Sequence, residues 1–260
     1  MIGFDRLGKN GRFGNQMFQY AALKGIAKKN NYDFCIPSGP KNEGDFYDEE
    51  NQHKLFIAFN VNVESVDNFS APYAQESSFN FDKELFENCE DNVNLYGFFQ
   101  TEKYFKHIED EIRKDFTFKK DWLEPCKESF EDKEYIGLHI RRTDYVQKQS
   151  YHPLCTLDYY ERALKKLPNI PVIIVSDDPE WCGKQELFKP NRFFISDSSS
   201  NIIDMCILSL CKYHIIANSS FSWWGAWLAE SEKVIAPKIW YGSQANLDDS
   251  DLVPQHWERI

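Results

Sequence analysis

Pro171-Val172-Ile173-Ile174-Val175-Ser176-Asp177-Asp178-Pro179 decides the fold. A nearly unbroken apolar run of this length, ended by acids and a proline, reads as a strand buried on both faces, the kind found in parallel sheets. Working outward, the same rhythm recurs. Tyr135–Ile140 reads as a strand and Leu157–Leu167 as a helix with Thr156 as its N-cap. Asp178–Leu187 reads as a helix and Arg192–Ile195 as a strand. Beyond them, Asn201–Lys212 is a helix, Tyr213–Ala217 a strand, Phe221–Ala229 a helix and Lys233–Ala236 a strand. Strands alternating with helices predict an α/β fold with a parallel sheet covered on both faces. Such sheets bind ligands beyond the carboxyl ends of their strands.

Three of those strand ends carry unusual chemistry. His139-Ile140-Arg141-Arg142-Thr143-Asp144-Tyr145 ends the first, Ser176-Asp177-Asp178-Pro179 the second, and Asn218-Ser219-Ser220-Phe221-Ser222-Trp223-Trp224-Gly225 the third. Two arginines at the end of a buried strand are costly unless anions meet them, and a guanidinium matches a phosphate at two points. The plain alternative is a structural pair, Arg142 with Asp144. Ser219–Ser222 at a helix start offers hydroxyls and free N–H groups to a phosphate; ordinary capping is its alternative. Asp177 or Asp178 can accept two N–H bonds from a base such as guanine, or cap the helix that has Pro179 in its first turn. Together the three ends suggest a nucleotide diphosphate.

The N-terminal part is less regular. A short strand leads into Gly8-Lys9-Asn10-Gly11-Arg12-Phe13-Gly14, then a helix over Gln16–Lys29 with Asn15 as N-cap. Gly11 and Gly14 let backbone approach a ligand. The loop is neither GxGxxG nor a Walker loop. Residues 35–80 read as loops and short elements, and residues 81–133 as helical and charged, with Tyr104–Phe116 the better helix. The run Glu124–Lys133 reads as a linker, giving domains 1–132 and 133–260.

Composition narrows the function classes. A chain of 260 residues with 21 Phe, 13 Tyr and 7 Trp can build its own core, and rings in a cleft suit a sugar. The formal net charge of −11 argues against a nucleic-acid surface. Seven Cys in no CxxC pattern, with neither HExxH nor a Cys/His zinc spacing among six His, read as reduced thiols in a cytosolic protein without a metal centre. No signal peptide or run of ~20 apolar residues is visible, so contact with a membrane is at most peripheral, at its inner face.

The stretches Gly11-Arg12-Phe13-Gly14-Asn15-Gln16-Met17-Phe18-Gln19-Tyr20, His139–Tyr145 and Asn218–Trp227 resemble those of the α1,2-fucosyltransferases of glycosyltransferase family 11, in the same order and separation. The resemblance covers nearly the whole chain and weakens through 35–130. The first loop is also similar to that of protein O-fucosyltransferases, and Ser176–Pro179 to the guanine-reading turn of core α1,6-fucosyltransferases. It implies a GT-B-type glycosyltransferase, with two Rossmann-like domains facing across a cleft, the first on the acceptor side and the second binding GDP-fucose. It implies inversion at the anomeric carbon, a galactose-containing glycan as acceptor in surface glycan synthesis, and neither metal nor other cofactor. By the motif match Arg141 holds the β-phosphate, His139 and Asp177 contact guanosine, and Ser219–Ser222 line the diphosphate. Gly14 and Asn15 lie on the fucose side. Arg142 is a second phosphate ligand or a structural partner of Asp144. Donor-binding candidates are thus Arg12, Gly14, Asn15, His139, Arg142, Asp177, Asp178, Ser219, Ser220, Phe221 and Ser222; catalytic candidates are Arg141 and Asp144. Two departures matter. Arg12 and Phe13 stand where family 11 loops often have Gly and Leu, and Gln149 stands where the core α1,6 enzymes place an acid.

Fucosyl transfer leaves extra negative charge on the departing β-phosphate. Many glycosyltransferases meet it with a divalent ion on a DxD motif. The match here, Asp249-Ser250-Asp251, lies in a polar stretch and reads as a solvated loop, so Arg141 and helix-start N–H groups are expected to serve. For the base that takes the acceptor proton, His152 and Glu43–Glu50 rival Asp144. Other linkages, a protein acceptor, or a non-catalytic sugar- or nucleotide-binding protein on the same fold are the alternatives.

Overall fold

The computed structural model describes residues 1–39, 53–66, 68–130 and 133–260. It packs as two units, Met1–Lys119 with Asp248–Pro254, and Lys120–Leu247 with Gln255–Ile260.

Among the described residues the first unit holds a sheet of five short parallel strands: β1 Ile2–Gly3, β2 Phe34–Ile36, β3 Glu64–Ser65, β4 Tyr73–Gln75 and β5 Asn94–Tyr96, in the order β3-β2-β1-β5-β4. Its main helix, α1, runs over Phe13–Asn30 and is buried on nearly every side, so it shows no polar stripe. Lys24 enters that core because Asp115 meets it at 2.6 Å, while the Tyr20 hydroxyl donates to the same carboxylate at 2.8 Å. At Gly25 a Cβ would lie 2.0 Å from the Tyr104 carbonyl, so only glycine lets the chain cross α1 this closely. Shorter helices follow: α2 Leu55–Ala58, α3 Lys83–Asn88 and α4 Glu109–Asp115.

Several boundaries differ from those read in the sequence. α1 begins at Phe13, with Arg12 in extended backbone at the cap position and Asn15 inside the first turn. Tyr104–Phe116 divides into two 3₁₀ turns and α4. Tyr104 and Phe105 are both fully buried and point to different neighbours, which one regular helix face does not permit. β2, β3 and β4 in 35–80 and β5 in 81–133 are strands the sequence reading leaves unmarked.

The second unit opens with α5, Lys120–Glu128. It continues with β6 Ile136–Ile140, α6 Leu157–Leu164, β7 Val172–Ser176, α7 Pro179–Gly183 and β8 Phe193–Ile195. Then come α8 Asn201–Ser209, β9 Tyr213–Ile215, α9 Ser220–Leu228, β10 Lys233–Ala236 and β11 Glu258–Arg259. The parallel sheet has the order β11-β10-β9-β6-β7-β8. Ile136, Leu138, Ile140, Val172, Ile174, Ile215 and Ile235 form its core with Tyr159 and Tyr160 of α6. The chain steps from β6 through β7 to β8, then returns to build β9 and β10 on the other side of β6. The reversal falls between β6 and β9, the position where open sheets part their loops and seat ligands.

The units divide at Lys119 and Lys120, earlier than 132/133. The reason is α5, which packs on α8 and takes the Cys206 thiol on the Trp122 carbonyl at 3.9 Å. Residues 248–254 join the first unit because Asn80 donates to Asp248 at 2.8 Å, Phe81 N–H donates to Asp251 at 3.1 Å, and Lys103 pairs with Asp251. Asp249-Ser250-Asp251 is therefore tied to the protein through Asp251, not wholly solvated. Among the described residues no helix is long and apolar enough to cross a membrane.

Candidate active site

At the carboxyl end of β6 the two arginines take different acidic partners. Arg141 stays only 16% exposed in its side chain. Its Nη2 donates to Asp144 Oδ1 at 2.5 Å, and its Nη1 lies 3.0 Å from Asp177 Oδ2. Two carboxylates thus grip both arms of the guanidinium and fix its plane. Arg142 turns to α7 instead: its Nε donates to Asp178 Oδ2 at 3.0 Å and its guanidinium carbon lies 3.9 Å from the Trp181 ring centre, a close cation–π contact. The alternative that paired Arg142 with Asp144 is therefore corrected. Asp144 holds Arg141, and Asp178 with Trp181 holds Arg142.

The two acids after β7 also divide their work. Asp178 is the N-cap of α7, accepting from Trp181 N–H at 3.1 Å, with Pro179 in the first turn as expected of the capping alternative. Asp177 accepts from the Arg142 N–H at 2.8 Å on Oδ1, and from the Thr143 hydroxyl at 2.5 Å on Oδ2 beside Arg141. It is the hub of the β6 end.

His139 is buried. Burial pushes its imidazole down to about 3; the nearby Asp177 works against this, while Arg141 adds to it. It is neutral at pH 7. Its Nδ1 has no hydrogen-bond partner although it is fully buried, an exception that asks for a reason. A ligand N–H or O–H would give one. The Phe221 ring stands 5.4 Å away, bringing α9 to the same place.

At the start of α9 the Ser219 hydroxyl caps the Phe221 N–H at 3.3 Å. Ser219, Ser220 and Phe221 are partly exposed. Ser222 is fully buried, with its hydroxyl turned to the Ala217 and Ser219 carbonyls at 3.2 and 3.3 Å. Its side chain serves the helix start rather than the surface. Tyr145, which had no expected role, and His152, the rival base, complete the wall. The Tyr145 hydroxyl donates to the Asn218 carbonyl at 3.0 Å, and its ring stacks on His152 at 4.6 Å. Burial lowers the His152 pKa, opposed by Asp144 and reinforced by Lys148 and Arg141. Tyr145 ends the His139–Tyr145 stretch but was given no role there, and Trp181 was findable only as an aromatic two residues after Pro179.

In the first unit the loop after β1 turns on Gly8 and Gly11, with φ of 87° and 101°. A Cβ at Gly11 would lie 2.5 Å from Asn15 Nδ2. Gly14 is instead a buried residue of the first turn of α1, and Arg12 is exposed. Asn15 Oδ1 accepts from Gln100 Nε2 at 2.8 Å, and Gln16 Oε1 accepts from Lys54 N–H at 3.0 Å. The rival base segment Glu43–Glu50 lies outside the described residues.

Compared with known proteins, the chain matches the profile described as Glycosyl transferase family 11 over residues 4–260. It is 32% identical to an alpha-1,2-colitosyltransferase of Escherichia coli, over 96% of each chain. It is 28% identical to the O-antigen biosynthesis glycosyltransferase WbnK of Escherichia coli, over 95% of this chain and 97% of that one. A galactoside alpha-(1,2)-fucosyltransferase 1 of Alouatta belzebul is 26% identical over 94% of this chain and 69% of its own length. Among solved structures, fucosyltransferase NodZ from Bradyrhizobium superposes with a TM-score of 0.58 at 15% identity, over 90% of this chain and 94% of that one. POFUT1 in complex with GDP gives 0.59 at 13%, over 88% and 94%. These likenesses show the GT-B fold.

Proposed function

This chain belongs to glycosyl transferase family 11, and we propose that it transfers L-fucose from GDP-β-L-fucose to the 2-hydroxyl of a galactoside in a surface glycan, with inversion and without a metal ion. The observation that carries the reading is Arg141, held in a fixed plane at the switch point of a parallel sheet, beside the unpartnered Nδ1 of His139 and the start of α9. The α1,2 linkage is supported by two of the relatives, named for it. O-antigen synthesis is supported by a third.

In this reading guanosine lies against His139 and Asp177. The diphosphate lies between Arg141 and the first N–H groups of α9, beside Ser219, Ser220 and Phe221. Guanine reaches Asp177 Oδ2 once the Thr143 hydroxyl rotates off it. Arg142 shapes this wall through Asp178 and Trp181. Asn15 and the loop carrying Arg12 and Gly14 serve the fucose side. The acceptor oxygen attacks C1 of fucose in line, the C1–O bond to the β-phosphate breaks, and GDP leaves with the electron pair. Arg141 meets the charge that develops there, where a fixed cation acts in a dry site. The acceptor proton passes to Asp144.

A second reading of the donor rests on one observation: the relative at 32% identity is a colitosyltransferase. Colitose is fucose without its 3-hydroxyl. Offering GDP-fucose and GDP-colitose separately with a panel of galactosides, and determining product linkage, tests both. Product linked at the galactose 2-position from GDP-fucose is expected. Product only from GDP-colitose would change the donor, and neither transfer nor donor hydrolysis would remove the enzyme reading.

Two further results are expected. EDTA leaves the initial rate unchanged, since Asp251 of the DxD match is engaged with Lys103 and Phe81; complete loss restored by Mn²⁺ would overturn the metal-free step. Asp144→Asn binds GDP normally and transfers about 10²-fold more slowly, the usual scale for a lost general base. A joint fall of GDP affinity and melting temperature would restrict Asp144 to holding Arg141. Normal transfer would remove both roles and move the search to His152.

A further inference from the structure

At the carboxyl edge of the first sheet one buried carboxyl organises two segments that the sequence reading left unconnected. Glu76 follows β4 and is 9% exposed. Its Oε2 accepts from the N–H groups of Phe98 and Phe99, each at 3.0 Å, and its Oε1 accepts from the Tyr104 hydroxyl at 3.1 Å. That hydroxyl in turn accepts the Asp82 N–H at 2.8 Å. The turn held this way is strained. Phe99 sits at φ 54°, in a region that bulky residues avoid. A Cβ on Gly97 would lie 2.7 Å from Glu76 Oε2. Such backbone persists only where its surroundings over-determine it.

The turn reaches the glycine loop at two points. Gln19 Nε2 donates to both the Gly97 carbonyl at 3.2 Å and the Asn10 carbonyl at 2.9 Å. One residue past Phe99, Gln100 donates to Asn15 at 2.8 Å. Gln19 is fully buried, so this link is shielded from water.

We propose that Glu76 is a positioning residue of the transfer reaction: by clamping the Phe98 and Phe99 amides it fixes the turn that presents Gln100 to Asn15, and so orients Asn15 toward the donor sugar. The proposal rests on the reading that Asn15 serves the fucose side. Titration gives an independent handle. Burial pushes the Glu76 carboxyl up to about 7, against the hydrogen bonds from Phe99, Phe98 and Tyr104, with Asp82 adding to the rise. A carboxyl raised above its unfolded value stabilises the fold below about pH 4.5, and that contribution is lost as pH rises through about 7. Glu76→Gln removes this dependence while its amide oxygen can take the place of the carboxylate oxygen that accepts from both amides.

The test compares Glu76→Gln, Glu76→Ala and Asn15→Ala with Glu76→Ala/Asn15→Ala. Glu76→Gln is expected within about threefold of wild-type kcat, with the fall in melting temperature between pH 5 and 7.5 reduced. Glu76→Ala is expected to lose about 10²-fold in kcat, the scale of an ångström-sized misplacement, at unchanged GDP affinity. The double variant should be no slower than the slower single. Additive losses, or normal kcat in Glu76→Ala, overturn the proposal. Should Glu76→Ala not fold, Gln100→Ala takes its place in the same cycle. The Asn15 side-chain amide resonance is read in each folded variant: it should shift in Glu76→Ala and stay in Glu76→Gln. If the wild type transfers nothing, the functional reading fails, while this resonance still decides whether Glu76 governs Asn15; an unmoved resonance overturns the link itself.

Discussion

Arg141→Ala is expected to fold and to lose transfer by about a hundred- to several-thousand-fold. Removing one partner of a desolvated, charge-assisted contact costs roughly 3–5 kcal/mol, and each 1.36 kcal/mol is tenfold in rate. Arg141 fits that description, since its side chain is 16% exposed and both arms are already oriented by Asp144 and Asp177. Orientation before the reaction lets a cation act on developing charge without reorganising. The fold survives because Asp177 keeps the Arg142 N–H and the Thr143 hydroxyl as donors. Arg141→Lys should rescue poorly, because one ammonium cannot reach the Asp144, Asp177 and phosphate directions together. Steady-state transfer and calorimetric GDP titration check this; near-normal turnover and GDP affinity in Arg141→Ala would remove it from the donor site.

The second unit was legible for a physical reason. Ile136–Ile140 is buried at every position and Val172–Val175 at all but Ile173, so both runs are mainly apolar and the residues after them announce strand ends. Which acid holds which arginine was not legible. It depends on which way the Arg141 and Arg142 side chains turn and on Trp181 rising one turn into α7, neither of which sequence distance records. Ser222 looked like the other serines of its run, yet its place in the first turn of α9 buries it. In the first unit the strands have two or three residues, too few for a period to show. Glu76 could not be read at all: its partners are amides of residues more than twenty positions away, and its rise toward pH 7 comes from burial.

Asp177→Ala should lower GDP affinity about 10²-fold and slow saturated transfer by about tenfold. Hydrogen bonds to charged groups are worth about 1.5–3 kcal/mol, enough for the first number if a guanine contact is lost. The smaller second loss follows from Arg141 keeping Asp144 but losing its other brace. A contact to the base is the same before and during reaction, so it belongs to affinity rather than to turnover. Stability falls too, because the Arg142 N–H loses its acceptor. Asp177→Asn separates these effects. Its amide oxygen can still accept the Arg142 N–H and recover melting temperature, but its NH₂ faces Arg141 and cannot accept from guanine. Comparing GDP with inosine diphosphate, which lacks the 2-amino group, completes the test. The wild type should prefer GDP, and both variants should lose that preference. A preference retained in Asp177→Ala would take the base away from Asp177 and leave it only the task of bracing Arg141.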